Sequence, residues 1–258
     1  MEKALIVEKR QKIAWLKLNR PKCFNAINDE LVHEFHLAFD DIENDPEIRV
    51  VVITGEGKAF CAGGDLTYLE SLTNVARRTA FIEKVGMMAK RITLLPKPVI
   101  AMVNGVAAGA GANLMLACDL AYANENAVFA QSFLKVGLIP DCGGLYLLPK
   151  AVGIRKAKEL MFTSELITAA EALTLGMLNH VTTAETLLLE TQKMAERLTA
   201  AAPLALSFTK NILNKSNLNL DDILTYENST QALCMSTQDA QEGINAFKEK
   251  RSPLFSGK

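Results

Sequence analysis

No run of the chain approaches the ~20 consecutive apolar residues of a membrane-spanning helix, although 49% of its 258 residues are hydrophobic. An excess of either charge is also missing: 28 Lys and Arg against 29 Asp and Glu leave a formal net charge of −1, spread along the chain. That balance excludes the basic footprint that nucleic acid or an anionic membrane surface would require. The five cysteines, Cys23, Cys61, Cys118, Cys142 and Cys234, are odd in number and include no C-x-x-C pair. Neither a disulfide framework nor a zinc site is expected from them. The first residues, "MEKALIVEKRQK", lack the apolar stretch of a secretory leader and the Arg- and Ser-rich character of a transit peptide. A soluble protein of the reducing cytoplasm is the expectation, with no metal.

What is present is a regular alternation of strand and helix signals. "ALIVEKR" and "KIAWLKLN" read as two strands turned around Arg10-Gln11, and "IRVVVITG" as a buried strand. Between them, Leu31, Phe35, Phe39 and Ile42 recur at helical spacing behind Asn28, a suitable N-cap. "EGKAFCAGGDL" reads as a loop that opens a helix at Asp65, and residues 75–93 as a helix stopped by Pro96 and Pro98. "PVIAMVNGVA" reads as one strand, "GAGANLMLACD" as a small-residue helix, and "LAYAN" and "AVFAQ" as two short strands. Helices dominate afterwards, at 144–163, 168–175, 184–200, 203–215 and 219–238. The pattern predicts an α/β core over residues 1–195 and a helical C-terminal part over 196–258 that is not an independent domain.

Two glycine-rich stretches, "AFCAGGDL" and "NGVAAGAGANL", each follow a strand and open a helix. The first N–H groups of a helix have no internal acceptor, so such turns can hold an anion or a polarised oxygen. Close packing of helix on strand would call for the same small residues. A dinucleotide fingerprint is excluded because the third glycine position falls on Leu114, and no G-x-x-x-x-G-K-[ST] phosphate loop occurs.

Taken together, "NRPKCFNAIN", "GKAFCAGGDL", "KPVIAMVNGVAAGAGANLMLACD", "FLKVGLIPDCGG", "ITAAEALTLGMLNHVT" and "EGINAFKEKRSPLFSGK" resemble the enoyl-CoA hydratase/isomerase (crotonase) family over essentially the whole chain. "VAAGAGANL", "GLIPDCGG" and the "KRSP-x-F" ending look most like its bacterial ring-1,2-epoxyphenylacetyl-CoA isomerase group. The resemblance implies repeated ββα units with a C-terminal helical part that builds trimers, often paired into hexamers. It also implies an acyl-CoA thioester substrate, with coenzyme A belonging to that substrate rather than acting as a separate cofactor. The setting would be fatty-acid or phenylacetate breakdown.

Residue by residue, the resemblance places an oxyanion hole at the backbone N–H groups of Gly64 and Ala110. Two such donors stabilise the enolate that forms when a proton leaves the carbon next to the thioester. CoA contacts carry over to Lys22, Ala26, Ala62, Asp65 and Leu66, and, on the C-terminal helix and across a subunit boundary, to Phe247 and Lys250. The family's hydratases carry glutamates at two positions that here are Asn113 and Phe133, which leaves those two as substrate-side residues without an acid. Asp141 matches the single carboxylate of the family's isomerases, and one carboxylate suffices to move a proton from one carbon to another.

These residues imply double-bond or ring-epoxide isomerisation by Asp141. A hydratase that manages with Asp141 and a fixed water is the alternative enzyme, and a non-catalytic acyl-CoA binder the alternative of another class. The same position holds the nucleophilic aspartate of the family's aryl-CoA dehalogenases, but no histidine is placed to assist such an attack. Read without the resemblance, Asp141 could simply cap the helix that follows.

Overall fold

The computed structural model describes residues 3–215 and 218–258. A hairpin of β1 (Leu5–Arg10) and β2 (Ile13–Leu18) opens the chain, its turn made by Gln11 and Lys12 at φ of 51° and 66°. Helix α1 (Asp29–Asn44) follows, capped by the Asn28 side chain, which accepts from the Leu31 N–H.

Three ββα turns come next. The first comprises β3 (Val50–Gly55), β4 (Ala59–Cys61), α2 (Leu66–Ser71) and α3 (Val75–Leu94). The second comprises β5 (Val99–Val103), β6 (Val106–Ala108) and α4 (Ala110–Ala117). The third comprises β7 (Leu120–Asn124), β8 (Val128–Ala130), a 3-10 turn at Ser132–Val136, α5 (Gly144–Val152) and α6 (Ile154–Thr163). After β9 (Ile167–Thr168), α7 (Ala169–Thr174) and β10 (His180–Thr182), the chain is helical: α8 (Leu187–Thr199), α9 (Pro203–Leu213), α10 (Leu220–Met235) and α11 (Gln238–Glu249).

Each ββα turn puts its first strand into a six-stranded sheet ordered β1-β2-β3-β5-β7-β10 and its second into a four-stranded sheet ordered β4-β6-β8-β9. Apart from the β1–β2 and β8–β9 pairs, all neighbours run parallel. The uninterrupted apolar run of β3 is explained by burial on both faces. Val51 and Ile53 pack into the core shared with α1 and α3, whereas Val50 and Val52 face a second core with Trp15 and Leu187. Side chains alternate across a strand, so each of these four residues meets a core on its own side.

Three expectations need correction. The glycine-rich loop after β3 contains a strand, β4, and the predicted strand over "PVIAMVNGVA" is two strands in two different sheets. Asn104 makes that transfer: its Oδ1 accepts from the Gly55 N–H (3.1 Å), and its Nδ2 donates to the Gly57 and Ala59 carbonyls (2.9 and 3.2 Å). A side chain that replaces a strand neighbour's hydrogen bonds lets the backbone leave one sheet without stranding polar groups. The expected helix over 144–163 breaks at Gly153, whose φ of 78° the helix cannot accommodate.

The helical extension is fastened to the α/β part by polar groups as well as apolar ones. Lys210 on α9, 8% exposed, donates to the Ile92 carbonyl (2.9 Å), the Lys97 carbonyl (3.0 Å) and Asp119 (2.7 Å). Arg49 of the α/β part reaches the Thr199 and Phe255 carbonyls, while Asp239 accepts from the Ser256 and Gly257 N–H groups within the extension itself. Among the described residues no helix is long and apolar enough to cross a membrane.

Removing one member of a buried ion pair leaves the other charge uncompensated, at a cost of about 3 kcal/mol or more. Lys210→Ala is therefore expected to lower the unfolding free energy by about 3 kcal/mol in a denaturant titration. A loss below about 1 kcal/mol would mean that apolar contacts alone hold α9 in place.

Candidate active site

The site is assembled where the second strands of the ββα turns end. Residues 20–27 lie across the start of α2, held by three backbone bonds: Ala62 N–H to Phe24 (2.9 Å), Ile27 N–H to Gly63 (2.7 Å) and Asp65 N–H to Ile27 (2.9 Å). Arg20 and Asn25 shape this segment. Asn25 is fully buried at a φ of 58°, and its amide bonds the Arg20 N–H (2.8 Å) and the Ala59 carbonyl (2.8 Å). The Arg20 guanidinium joins the Ala26 carbonyl to the Asp65 carboxylate, the latter at 2.8 Å. Lys22, Ala26, Ala62, Gly64, Asp65 and Leu66 thereby form one patch, with Lys22 and Leu66 exposed.

Gly64 forms a parallel bridge with Ile27. In that geometry residues 63 and 65 make the bonds, so the Gly64 N–H points the other way. Ala110 is the first residue of α4, and its N–H has no acceptor within the helix. Two glycines with positive φ bring these donors together, Gly63 at 100° and Gly109 at 52°. A methyl built on Gly63 would stand 2.9 Å from the Ala108 carbonyl oxygen and 3.4 Å from the Ala110 nitrogen. A side chain at 63 would force the two turns apart.

Asp141 lies in the turn before α5. One of its carboxylate oxygens, Oδ1, is buried without a hydrogen-bond partner. Burial pushes its pKa up to about 6, against a smaller opposing effect of its own N–H. Asp65 goes the other way: burial would raise it, but Arg20 and the Tyr68 N–H at the start of α2 hold it below the usual carboxylate range. Two acids of one site are thus set apart by their surroundings. Neighbouring thiols are inert, with burial raising Cys61 to about 12 and Cys142 well above its ordinary value.

Asn113 is completely enclosed, its Nδ2 donating to the Asp141 backbone carbonyl (2.8 Å) and its Oδ1 accepting from Gln131 (2.8 Å). Both of its polar atoms thus bond the protein itself. The Asp65 carboxylate is likewise committed to Arg20 and to capping α2, and its backbone bonds Ile27 and Leu69. Phe133 is 7% exposed, and its ring lies 3.7 Å from where a Cβ on Gly109 would be.

Phe247 and Lys250 are not brought to this place within one chain. Phe247, 87% exposed on α11, lines a groove of about 400 Å³ with Leu204, Gly243 and Phe255, and Lys250 ends α11 with a φ of 55°. Sequence reading missed Arg20, Asn25, Gln131 and Gly144. Arg20 and Asn25 flank "PKCF", and no periodicity marks a side chain whose task is to bond a loop's backbone.

Paired donors beside a buried acid suit an enzyme that polarises a carbonyl oxygen and moves a proton next to it. The chain belongs to the enoyl-CoA hydratase/isomerase family, which it matches over residues 8–258. It is 38% identical to a crotonyl-CoA hydratase of Syntrophomonas wolfei, with 98% of each chain covered. To a 1,2-epoxyphenylacetyl-CoA isomerase of Escherichia coli it is also 38% identical, with 94% of each covered. A solved enoyl-CoA hydratase of Polaromonas, 38% identical, superposes with a TM-score of 0.95 over 98% of this chain and 99% of that one. The architecture is the crotonase fold.

Because Asp141 binds a proton more tightly in the folded chain than an ordinary aspartate does, stability falls as pH rises from 3.8 to about 6. Asp141→Asn removes this penalty. After allowance for solvent screening, the variant should be more stable than the native chain at pH 7.5 by about 1–2 kcal/mol. The difference should vanish near pH 4, as chemical denaturation at the two pH values would show.

Proposed function

We propose that this enzyme isomerises an enoyl-CoA, shifting a double bond or rearranging a ring epoxide, with Asp141 taking and returning the proton. The thioester oxygen accepts from the Gly64 and Ala110 N–H groups, which stabilises the dienolate while the proton moves. Supporting this above all is the buried, unpartnered carboxylate oxygen of Asp141, with a pKa raised into the range useful to a general base. CoA lies along Lys22, Ala26, Ala62 and Leu66 in this reading, and Phe247 and Lys250 meet it from a neighbouring subunit of a trimer or hexamer. The enzyme works in the cytoplasm.

Hydration of a 2-enoyl-CoA is the second reading, favoured by the hydratase names of relatives such as that of Syntrophomonas wolfei. Water addition asks for one group to activate water and another to manage the second proton. Asn113 supplies no acid, and neither does Phe133.

Offering 3-enoyl-CoA and 2-enoyl-CoA separately distinguishes the two. The expected outcome is double-bond migration with little hydration, an acid limb near pH 6 and a loss of at least about a thousandfold in Asp141→Asn. Rapid hydration of the 2-enoyl thioester, with slow migration, would establish the hydratase instead.

A further inference from the structure

Behind Asp141 the side chains form a relay that touches no surface. Asn113 lies one turn beyond Ala110 on α4 and so projects from the same face of the helix. The orientation of its amide is dictated by its partners. The Asp141 carbonyl can only accept, so Nδ2 must face residue 141, and Oδ1 is left to receive the Gln131 Nε2 proton.

Gln131 is 3% exposed, and the Ser164 hydroxyl bonds its backbone carbonyl at 2.9 Å. Its own Oε1 is buried with no partner. A buried amide with one unsatisfied oxygen is costly, so the placement of its donor is not incidental packing. Gly144 completes the arrangement, because a Cβ at that position would come within 2.2 Å of Asn113 Nδ2 and displace the amide. The first residue of α5 must lack a side chain for the bond to Asp141 to exist.

We propose that Asn113, seated by Gln131 and given room by Gly144, is the positioning residue of Asp141. It grips the backbone of the acid from one turn beyond the Ala110 N–H on α4. The donor that holds the substrate oxygen and the acid that moves the proton are thereby fixed to one rigid element, and their separation is set by a single turn of helix. This role rests on Asp141 being the proton-transferring group. A misplacement of about 1 Å in such a pair costs on the order of a hundredfold in rate.

Asn113→Ala, Asn113→Asp and Gln131→Leu, compared with Asp141→Asn, provide the test. The readouts are steady-state turnover of 3-enoyl-CoA and exchange of the α protons of butyryl-CoA in D2O. Asn113→Ala and Gln131→Leu are expected to lower kcat about tenfold to a hundredfold while KM stays within about threefold. Asn113→Asp keeps the shape but replaces the donor with an acceptor. It should lose as much and move the acid limb to higher pH, since a second carboxylate disfavours ionisation of the first. Burial and its own N–H are the influences on Asp141 in the native chain, and the Cys142 thiol beside it is neutral, so that displacement has a simple background.

A merely structural role would lower the melting temperature without separating kcat from KM or moving the limb. Native kcat in the Asn113 variants, or a loss carried by KM, would overturn the proposal. If Asn113→Ala does not fold, the near-isosteric Asn113→Asp and the more remote Gln131→Leu decide the matter. Full exchange in Asp141→Asn would refute the reading of Asp141 itself. An inert Asp141→Asn beside fully active Asn113 variants would refute the positioning role alone.

Discussion

The close approach of two turns, one ending at Gly63 and the other at Gly109, is the constraint around which this molecule is organised. Each turn lies just past the short second strand of a ββα unit; a Cβ on Gly63 would press on the Ala108 carbonyl, and Gly109 holds a positive φ that L side chains rarely adopt. Contact between the turns requires β4 and β6 to run side by side in the smaller sheet, which in turn requires the chain to leave the larger sheet twice. Asn104 makes one of those departures possible by standing in for lost strand partners. The free N–H groups of Gly64 and Ala110 are a consequence of this geometry rather than a feature added to it.

Electrostatics then divides the labour between two aspartates that look alike in sequence. Asp65 has a guanidinium and a helix N-terminus for company and stays ionised. Asp141 has no guanidinium beside it and its side chain caps no helix, and burial makes it a reluctant anion. A carboxylate that gains no stabilising partner in the folded state is a burden on stability, and such burdens persist where a reaction uses them. Asn113, expected beside the substrate, bonds the Asp141 carbonyl and Gln131.

Much of the fold was legible because its signals are local. The hairpin at Gln11, the cap at Asn28 and the periodicity of α1 depend on neighbours within a few residues. What escaped was decided at a distance. The strand β4 is three residues long and exists only because β6 lies beside it, and the division of "PVIAMVNGVA" depends on an asparagine bonding residues 45 or more positions away. The motif residues of the site, Gly64, Ala110 and Asp141, were visible through the family resemblance, and the structure adds their surroundings. Arg20 and Asn25 were invisible because they bond backbone groups, which leave no trace in residue type, and Gln131 because its partner Asn113 lies 18 residues away.

The buried Lys210 ammonium is held at the beginnings of β5 and β7, through Asp119 and the carbonyl of Lys97, whereas the paired glycines lie beyond the opposite ends of the strands. A five-residue strand spans about 16 Å. The helical extension is therefore anchored before the strands of the larger sheet, whereas the paired glycines follow β4 and β6 of the smaller one. The surface of α9, α10 and α11, and with it the company this chain keeps, can therefore change without moving the turns that carry the Gly64 and Ala110 N–H groups.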